Sequence, residues 1–120
     1  MTPLSTLNVA QRLLYLQDLD LLLKDAQDDG TRELWHKAGL HVSGFAQLQQ
    51  MRAEVASSIA PRILDLYERI FRRYGRALVP VREGTCLGCF VKLPSGVTSP
   101  SVASDEISAC QSCGRILYWI

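Results

Sequence analysis

The chain has 120 residues, with 13 lysines and arginines against 12 acids and a formal net charge of +1, so a strongly basic or acidic overall balance is excluded. No apolar run approaches the roughly 20 residues that span a bilayer, and Leu21-Leu22-Leu23 is flanked by Asp20 and Lys24, so a spanning helix is excluded as well. The length suits one domain, or one small domain with an accessory module.

The near-neutral total hides an asymmetry. The first sixty residues carry Asp18, Asp20, Asp25, Asp28, Asp29, Glu33 and Glu54 against Arg12, Lys24, Arg32, Lys37 and Arg52, a net of −2. The second sixty carry eight bases and five acids, a net of +3. That excess points the second half toward an acidic partner, but charge alone equally describes a solvated surface. Met1-Thr2-Pro3-Leu4 has no basic region followed by an apolar core, and a cytoplasmic protein with reduced thiols is expected.

From about Ser5 to Asp28 the chain is leucine-rich and free of internal glycine or proline, which predicts one long helix. Asn8, three residues before Gln11, offers a capping box, and Thr2-Pro3 is a competing start signal. Leu7, Leu14 and Leu21 fall on a heptad line, while Leu13, Leu16 and Leu23 widen the apolar surface beyond one seam. Such a helix needs cover on more than one side, from a second chain or from a third helical segment.

Asp28-Asp29-Gly30-Thr31 reads as its end, with Gly30 as the C-terminal stop and Thr31 as the next cap. Glu33 to Ala38 adds one or two turns before Gly39. His36 and His41 lie near one another, but with no cysteine or carboxylate beside them they read as polar helix-end or loop residues. Trp35, Leu40, Val42 and Phe45 read as an apolar plug. A second helix begins at Ser43 or Gly44 and runs through Phe45, Leu48, Met51, Val55 and Ile59. Pro61 either kinks it or opens a new helix, and Ile63, Tyr67, Ile70 and Tyr74 continue the apolar stripe to Gly75. Arg62, Arg69, Arg72, Arg73 and Arg76 form a basic cluster on the opposite side. Several of these stand where arginines also complement a helix dipole.

Val79 to Gly84 predicts a short edge strand, because Pro80 has no N–H for a ladder. Phe90 to Pro94 is expected as a second strand, Ser95 to Ser104 as a loop, Asp105-Glu106-Ile107 as the lead into the last turn, and Arg115 to Ile120 as the closing strand. Tyr118 and Trp119 either stack on bases or cover a small module.

All four cysteines lie in this last part, as Cys86-Leu87-Gly88-Cys89 and Cys110-Gln111-Ser112-Cys113. Two C-x-x-C pairs at this separation match zinc-ribbon spacing, since each pair turns two thiolates toward one point. Gly88 inside the first pair and Gly114 after the second let backbone N–H groups approach the sulfurs. Four thiolates leave no open coordination position, so the expected cofactor is one structural Zn²⁺ per chain, held by Cys86, Cys89, Cys110 and Cys113. A pair of disulfides and a rubredoxin-like iron site use the same four sulfurs. A segment from about residue 79 to 120 buries too little apolar surface to fold alone, so metal binding is expected to supply free energy on the order of 10 kcal/mol.

The run Leu64-x-x-Tyr67-Glu68-Arg69-Ile70, then Ala77-Leu78-Val79-Pro80-Val81, the first cysteine pair, Lys92-Leu93-Pro94, Asp105-Glu106-Ile107 and Cys110-x-x-Cys113-Gly114-Arg115-Ile116-Leu117-Tyr118 resembles the bacterial C4-type zinc-ribbon proteins with an N-terminal helical coiled-coil hairpin. Leu16-Gln17-x-Leu19-Asp20 resembles that family's opening. The resemblance is dense over about residues 62 to 120, and the hairpin here is a much shortened form. It implies a bacterial cytoplasmic adaptor with a zinc-bound ribbon; members associate with RNA or other nucleic acid, with the sigma-54 factor, and with flagellar or type III secretion components.

The expectation is therefore a mainly α protein: a helical hairpin or small bundle over residues 1–76 and a C4 zinc ribbon, a small β module, over 79–120. Its expected function is a non-enzymatic adaptor binding nucleic acid, RNA or DNA, or a nucleic-acid-associated protein of transcription or secretion. Arg69, Arg72, Arg73, Arg76, Arg82, Lys92 and Arg115 would supply phosphate contacts. The alternative is a protein–protein module, a homodimer through the first helix, with a purely structural ribbon. No membrane partner is expected. No nucleophile has a base beside it and no phosphate loop is present, so enzymatic activity is not expected either.

Overall fold

The computed structural model describes residues 7–39, 44–97 and 106–120. Four helices precede a small sheet: α1 (Val9–Gln27), α2 (Asp29–Lys37), α3 (Phe45–Ser57), α4 (Pro61–Tyr74), then β1 (Leu78–Arg82), β2 (Thr85–Cys86), β3 (Ser108–Ala109) and β4 (Ile116–Trp119). The mainly α architecture with a C-terminal ribbon is thus present. Among the described residues no helix is long and apolar enough to cross a membrane.

Asn8 opens α1 with the capping box: its side chain accepts from the Gln11 N–H at 2.8 Å, and its own N–H reaches Gln11 Oε1 at 2.9 Å. The competing start at Thr2-Pro3 lies outside the described residues. The other end departs from expectation. Gly30 does not stop α1; it lies inside α2, and Asp28 performs both jobs, ending α1 in extended backbone and capping α2. Its carboxylate accepts from the Thr31 N–H at 3.1 Å and the Thr31 hydroxyl at 2.6 Å, which holds its pKa below the ordinary carboxylate value. A capping carboxylate outweighs the weak helix propensity of one glycine.

The buried face of α1 is Val9, Leu13, Leu16, Leu19, Leu23 and Ala26, together with Gln17. The heptad line of Leu7, Leu14 and Leu21 is only half-buried. Cover comes from the same chain: Val55 and Ala56 of α3, Ile59, and Ile63, Tyr67 and Ile70 of α4 share one core with α1. Arg12 of α1 donates to the Ser58 carbonyl at 3.0 Å, fixing the α3–α4 connection. Pro61 opens α4 as its first residue instead of kinking a longer helix, and Gly75 closes it in the left-handed conformation with its N–H on the Phe71 carbonyl at 2.7 Å. Of the expected plug, Trp35 and Phe45 are half-buried; Leu40, Val42 and His41 lie outside the described residues, and His36 is exposed at the end of α2.

A polar network crosses three helices. Arg52 of α3 bridges Asp20 of α1 and Glu68 of α4, both at 2.9 Å, and the Tyr67 hydroxyl donates to Asp20 at 2.7 Å. Tyr67 is 0% exposed; burial first, and then its bond to Asp20, push its phenol pKa well upward. The arrangement ties the three helices together, with the buried Tyr67 and the partly buried Asp20 and Arg52 each partnered across helices.

The sheet runs in the order β2-β1-β4-β3, so β1 is central and not the edge strand that Pro80 predicts. The reason lies in which side each residue faces. Ala77 and Val81 accept from Ile116 and Ile120 on the β4 side. Pro80 faces β2, where its carbonyl accepts from Leu87 at 2.9 Å while that chain is leaving to form the cysteine turn. The missing N–H therefore falls where the ladder is already ending. Glu83 and Gly84 both have positive φ, as a two-residue hairpin of type I′ demands. The strand expected over Phe90 to Pro94 reduces to one isolated bridge, Thr85 to Lys92, because Phe90 leaves extended geometry at φ 62°. Of the loop expected from Ser95, residues 98–104 lie outside the described residues, as does Asp105.

Candidate metal centre and basic surface

Each cysteine pair sits on one turn of the same design. In the first, Cys86 N–H donates to the Val91 carbonyl at 3.0 Å and Phe90 N–H to the Cys86 carbonyl at 2.7 Å. In the second, Cys110 N–H donates to Arg115 at 2.9 Å and Gly114 N–H to Cys110 at 2.8 Å. The two turns face each other because β1 and β4 run parallel side by side, with Leu78 opposite Ile116 and Val81 opposite Trp119. β2 carries Cys86 from one flank, and β3 leads into Cys110 from the other.

The four sulfurs lie within 4.8 Å of one another, with Cys86 to Cys113 at 4.0 Å and Cys89 to Cys110 at 3.6 Å. A tetrahedron with metal–sulfur bonds of about 2.3 Å has edges of about 3.8 Å, so the set fits. Disulfides need about 2.0 Å, so these cysteines are free thiols and the disulfide alternative is overturned. Burial pushes the Cys86 and Cys113 thiols up, Cys113 to about 11, with the neighbouring thiols adding to it. At Cys110 burial is outweighed by the backbone N–H groups of Cys113 and Ser112 and by hydrogen bonds from Cys89 and Cys113, which bring it down to about 7. Four sulfurs this close cannot all ionise alone; a divalent cation makes all four thiolates favourable. With every ligand supplied by the protein, the metal is structural.

Around the sulfurs, Val79, Val81, Leu93 and Leu117 close a second core, against which Trp119 packs. Trp119 and Tyr118 are half-buried, Tyr118 against the helical core, so covering the module is what their positions show. Gly88 is required by closeness: a Cβ there would lie 2.8 Å from Val79 Cγ1 and 3.1 Å from Val79 Cβ.

The seven basic residues separate into two groups. Arg69 pairs with Asp65 at 3.2 Å, Arg72 donates to the Glu68 carbonyl at 3.3 Å, and Arg73 lies over the Tyr74 ring at 5.3 Å. Arg115 is half-buried and turned inward, 4.6 Å over the same ring and 3.4 Å from the Gly88 carbonyl. The other three, Arg76, Arg82 and Lys92, are exposed and have no ion-pair partner among the described residues. Thr85 pairs with Arg82 on one side and Lys92 on the other. Residues directly opposite share a face of the sheet, so these two cations stand in one row. Pro80 and its partner Tyr118 lie one step along that same face.

Two structural parts were invisible to residue-pattern reading. Gln17, 2% exposed, accepts from the Ala77 and Leu78 N–H groups at 2.7 and 2.8 Å, standing in for a neighbouring strand. Tyr74, read as part of an apolar stripe, is 40% exposed and serves as the platform for two arginines. An open groove of about 490 Å³ beside the Asp20–Arg52–Glu68 network has Leu23 and Phe71 among its lining residues. Arg52, Asp20 and Glu68 within it are already paired with one another.

Residues 85–117 match the family described as C4-type zinc ribbon domain. No curated protein sequence matches the chain. Among solved structures, CT398 from Chlamydia trachomatis is similar at TM-score 0.53 and 24% identity over 79% of this chain and 39% of its own. The HP0958 protein from Helicobacter pylori is similar at TM-score 0.54 and 23% identity over 77% of this chain and 38% of its own. The chain thus spans less than two fifths of either neighbour, and the likeness is one of fold. Together with the sulfur geometry, these matches show that the chain carries a C4-type zinc ribbon domain over residues 85–117, its four cysteines positioned to hold one structural zinc.

Proposed function

We propose that this protein is a non-enzymatic adaptor whose zinc ribbon presents a basic surface to nucleic acid. The observation that carries the reading is the row of Arg82 and Lys92 across the sheet, two exposed cations in register without an acidic partner among the described residues. Arg76 and the last-turn arginines of α4, Arg72 and Arg73, are exposed as well and add positive charge to the surface. Phosphate is the ligand that such point charges suit, and phosphate contacts fix position without reading sequence. The non-enzymatic part of the reading is supported by the placement of the ribbon's cysteines as metal ligands and by the internal pairing of the groove's charged network.

The test is the salt dependence of binding to a random single-stranded oligonucleotide. Affinity should fall steeply with salt, and the double substitution Arg82→Gln with Lys92→Gln should reduce the slope of log K against log[salt] by about 1.4. An unchanged slope would remove the row from the interface.

A second reading, a protein–protein module dimerising through the first helix, is favoured by Leu22 of α1 at 46% and Leu34 of α2 at 67% exposure. Sedimentation equilibrium distinguishes it: a monomer at tens of micromolar leaves those residues as ordinary surface leucines.

A further inference from the structure

The two cysteine turns repeat one backbone pattern, and the residue after the second cysteine is left-handed in both. In the second turn that residue is Gly114 at φ 78°; in the first it is Phe90 at φ 62°. Glycine adopts this conformation freely, whereas any side chain with a Cβ is strained in it. The turn holds its backbone through the 2.7 Å bond from Phe90 N–H to the Cys86 carbonyl, but the side chain gains no cover in return: Phe90 is 75% exposed, the most exposed of the large apolar residues described. Val91 beside it is also exposed, at 43%. Strain and an uncovered aromatic at the same position, where the sister turn uses glycine, point to a contact made outside the chain.

The charge around Phe90 says what kind of contact. Lys92 lies two residues away, at most about 7 Å along the chain, and stands in the row with Arg82. Glu83, in the intervening turn, forms no ion pair with either among the described residues. An exposed aromatic ring beside cations is the arrangement that holds an unpaired base by its face and the adjoining phosphate by charge. In a duplex both faces of each base are already stacked, so this arrangement selects single strands.

We propose that Phe90 is a base-stacking platform for single-stranded nucleic acid, with Lys92 and Arg82 contacting the flanking phosphates. The proposal rests on the nucleic-acid reading above and adds to it a strand preference and a specific residue.

The test uses the full zinc-loaded chain and fluorescence anisotropy with a labelled twelve-residue oligouridylate and a duplex of equal length. Phe90→Gly is expected to weaken oligouridylate binding by about five- to a hundred-fold and to leave duplex binding unchanged. Its melting temperature should not fall, because glycine suits the left-handed position. Phe90→Trp should retain affinity, and Phe90→Leu, which keeps apolar bulk without a π face, should lose it. Wild-type affinity in Phe90→Gly or in Phe90→Leu overturns the stacking role and leaves the nucleic-acid reading standing. Equal weakening on single strand and duplex also overturns it. A wild-type chain that binds neither oligonucleotide at low salt, or that binds a polyglutamate peptide in their place, overturns both readings.

Discussion

Gly88 shows how little room the metal centre leaves at the level of one atom. The Val79 side chain fills the space where a Cβ would stand, and Val79 is buried, β-branched and stiff at χ1. Rotating Val79 does not help, since its own Cβ would be 3.1 Å away. Gly88→Ala should therefore destabilise the protein by about 1–3 kcal/mol through overpacking, and Val79→Ala, which itself costs stability by emptying a buried site, should cost less in the Gly88→Ala background than in the wild type. Chemical denaturation of both single variants and the double variant checks this; a double-variant loss equal to the sum of the two single losses would refute the clash. Tyr67 offers a second test at this scale. Its folded pKa is raised above the ordinary phenol value by burial and by Asp20, so the neutral form stabilises the fold below about pH 10. That contribution is lost as pH rises through the folded pKa. The Tyr67 tyrosinate absorbance should accordingly appear only together with alkaline unfolding, and Tyr67→Phe should abolish that late step.

Between elements, the decisive contact joins α1 to β1. The Ala77 and Leu78 N–H groups both donate to Gln17 Oε1, so a helix supplies the acceptor that a neighbouring strand would. Both donors are buried. Gln17→Leu would leave them unsatisfied at about 1–3 kcal/mol each, so a loss of about 3 kcal/mol is expected in urea denaturation. In hydrogen exchange, the Ala77 and Leu78 amides should lose protection before those at the centre of α1. Asn8 belongs to the same scale but acts within one element: Asn8→Ala should cost about 1 kcal/mol by removing the capping box of α1.

For the molecule as a whole, the metal and the helices share a stabilising surface. Different means of support, metal for the ribbon and apolar packing for the helices, would let Cys113→Ser unfold the ribbon alone. The packing argues otherwise. Ala77, Leu78 and Ile116 belong to the helical core with Leu13, Leu16 and Ile70, and Arg115 reaches from the second cysteine turn to Tyr74 at the end of α4. Loss of the metal would therefore uncover helical residues and release an arginine from its aromatic platform. Chelation, or Cys113→Ser, should lower the melting temperature followed by far-ultraviolet circular dichroism at 222 nm. A helical transition unmoved by chelator would show that the two parts are energetically separate.

What the sequence determined by itself is whatever depends on spacing along the chain. Two C-x-x-C pairs, Asn8 three residues before Gln11, and Gly75 after the α4 stripe each name a local geometry that closes within a few residues. The metal site and three of the helices were legible for that reason. Gly30 misled because its propensity is small against a capping carboxylate, and Pro80 misled because a proline's place in a sheet depends on which neighbour its nitrogen faces. Only tertiary structure decided that β1 is central, that Gln17 completes its ladder, and that Arg115 turns inward while Arg82 and Lys92 share a row. Those outcomes depend on partners roughly 10 to 60 positions away, and the balance of burial against hydrogen bonding there is set only when the elements meet.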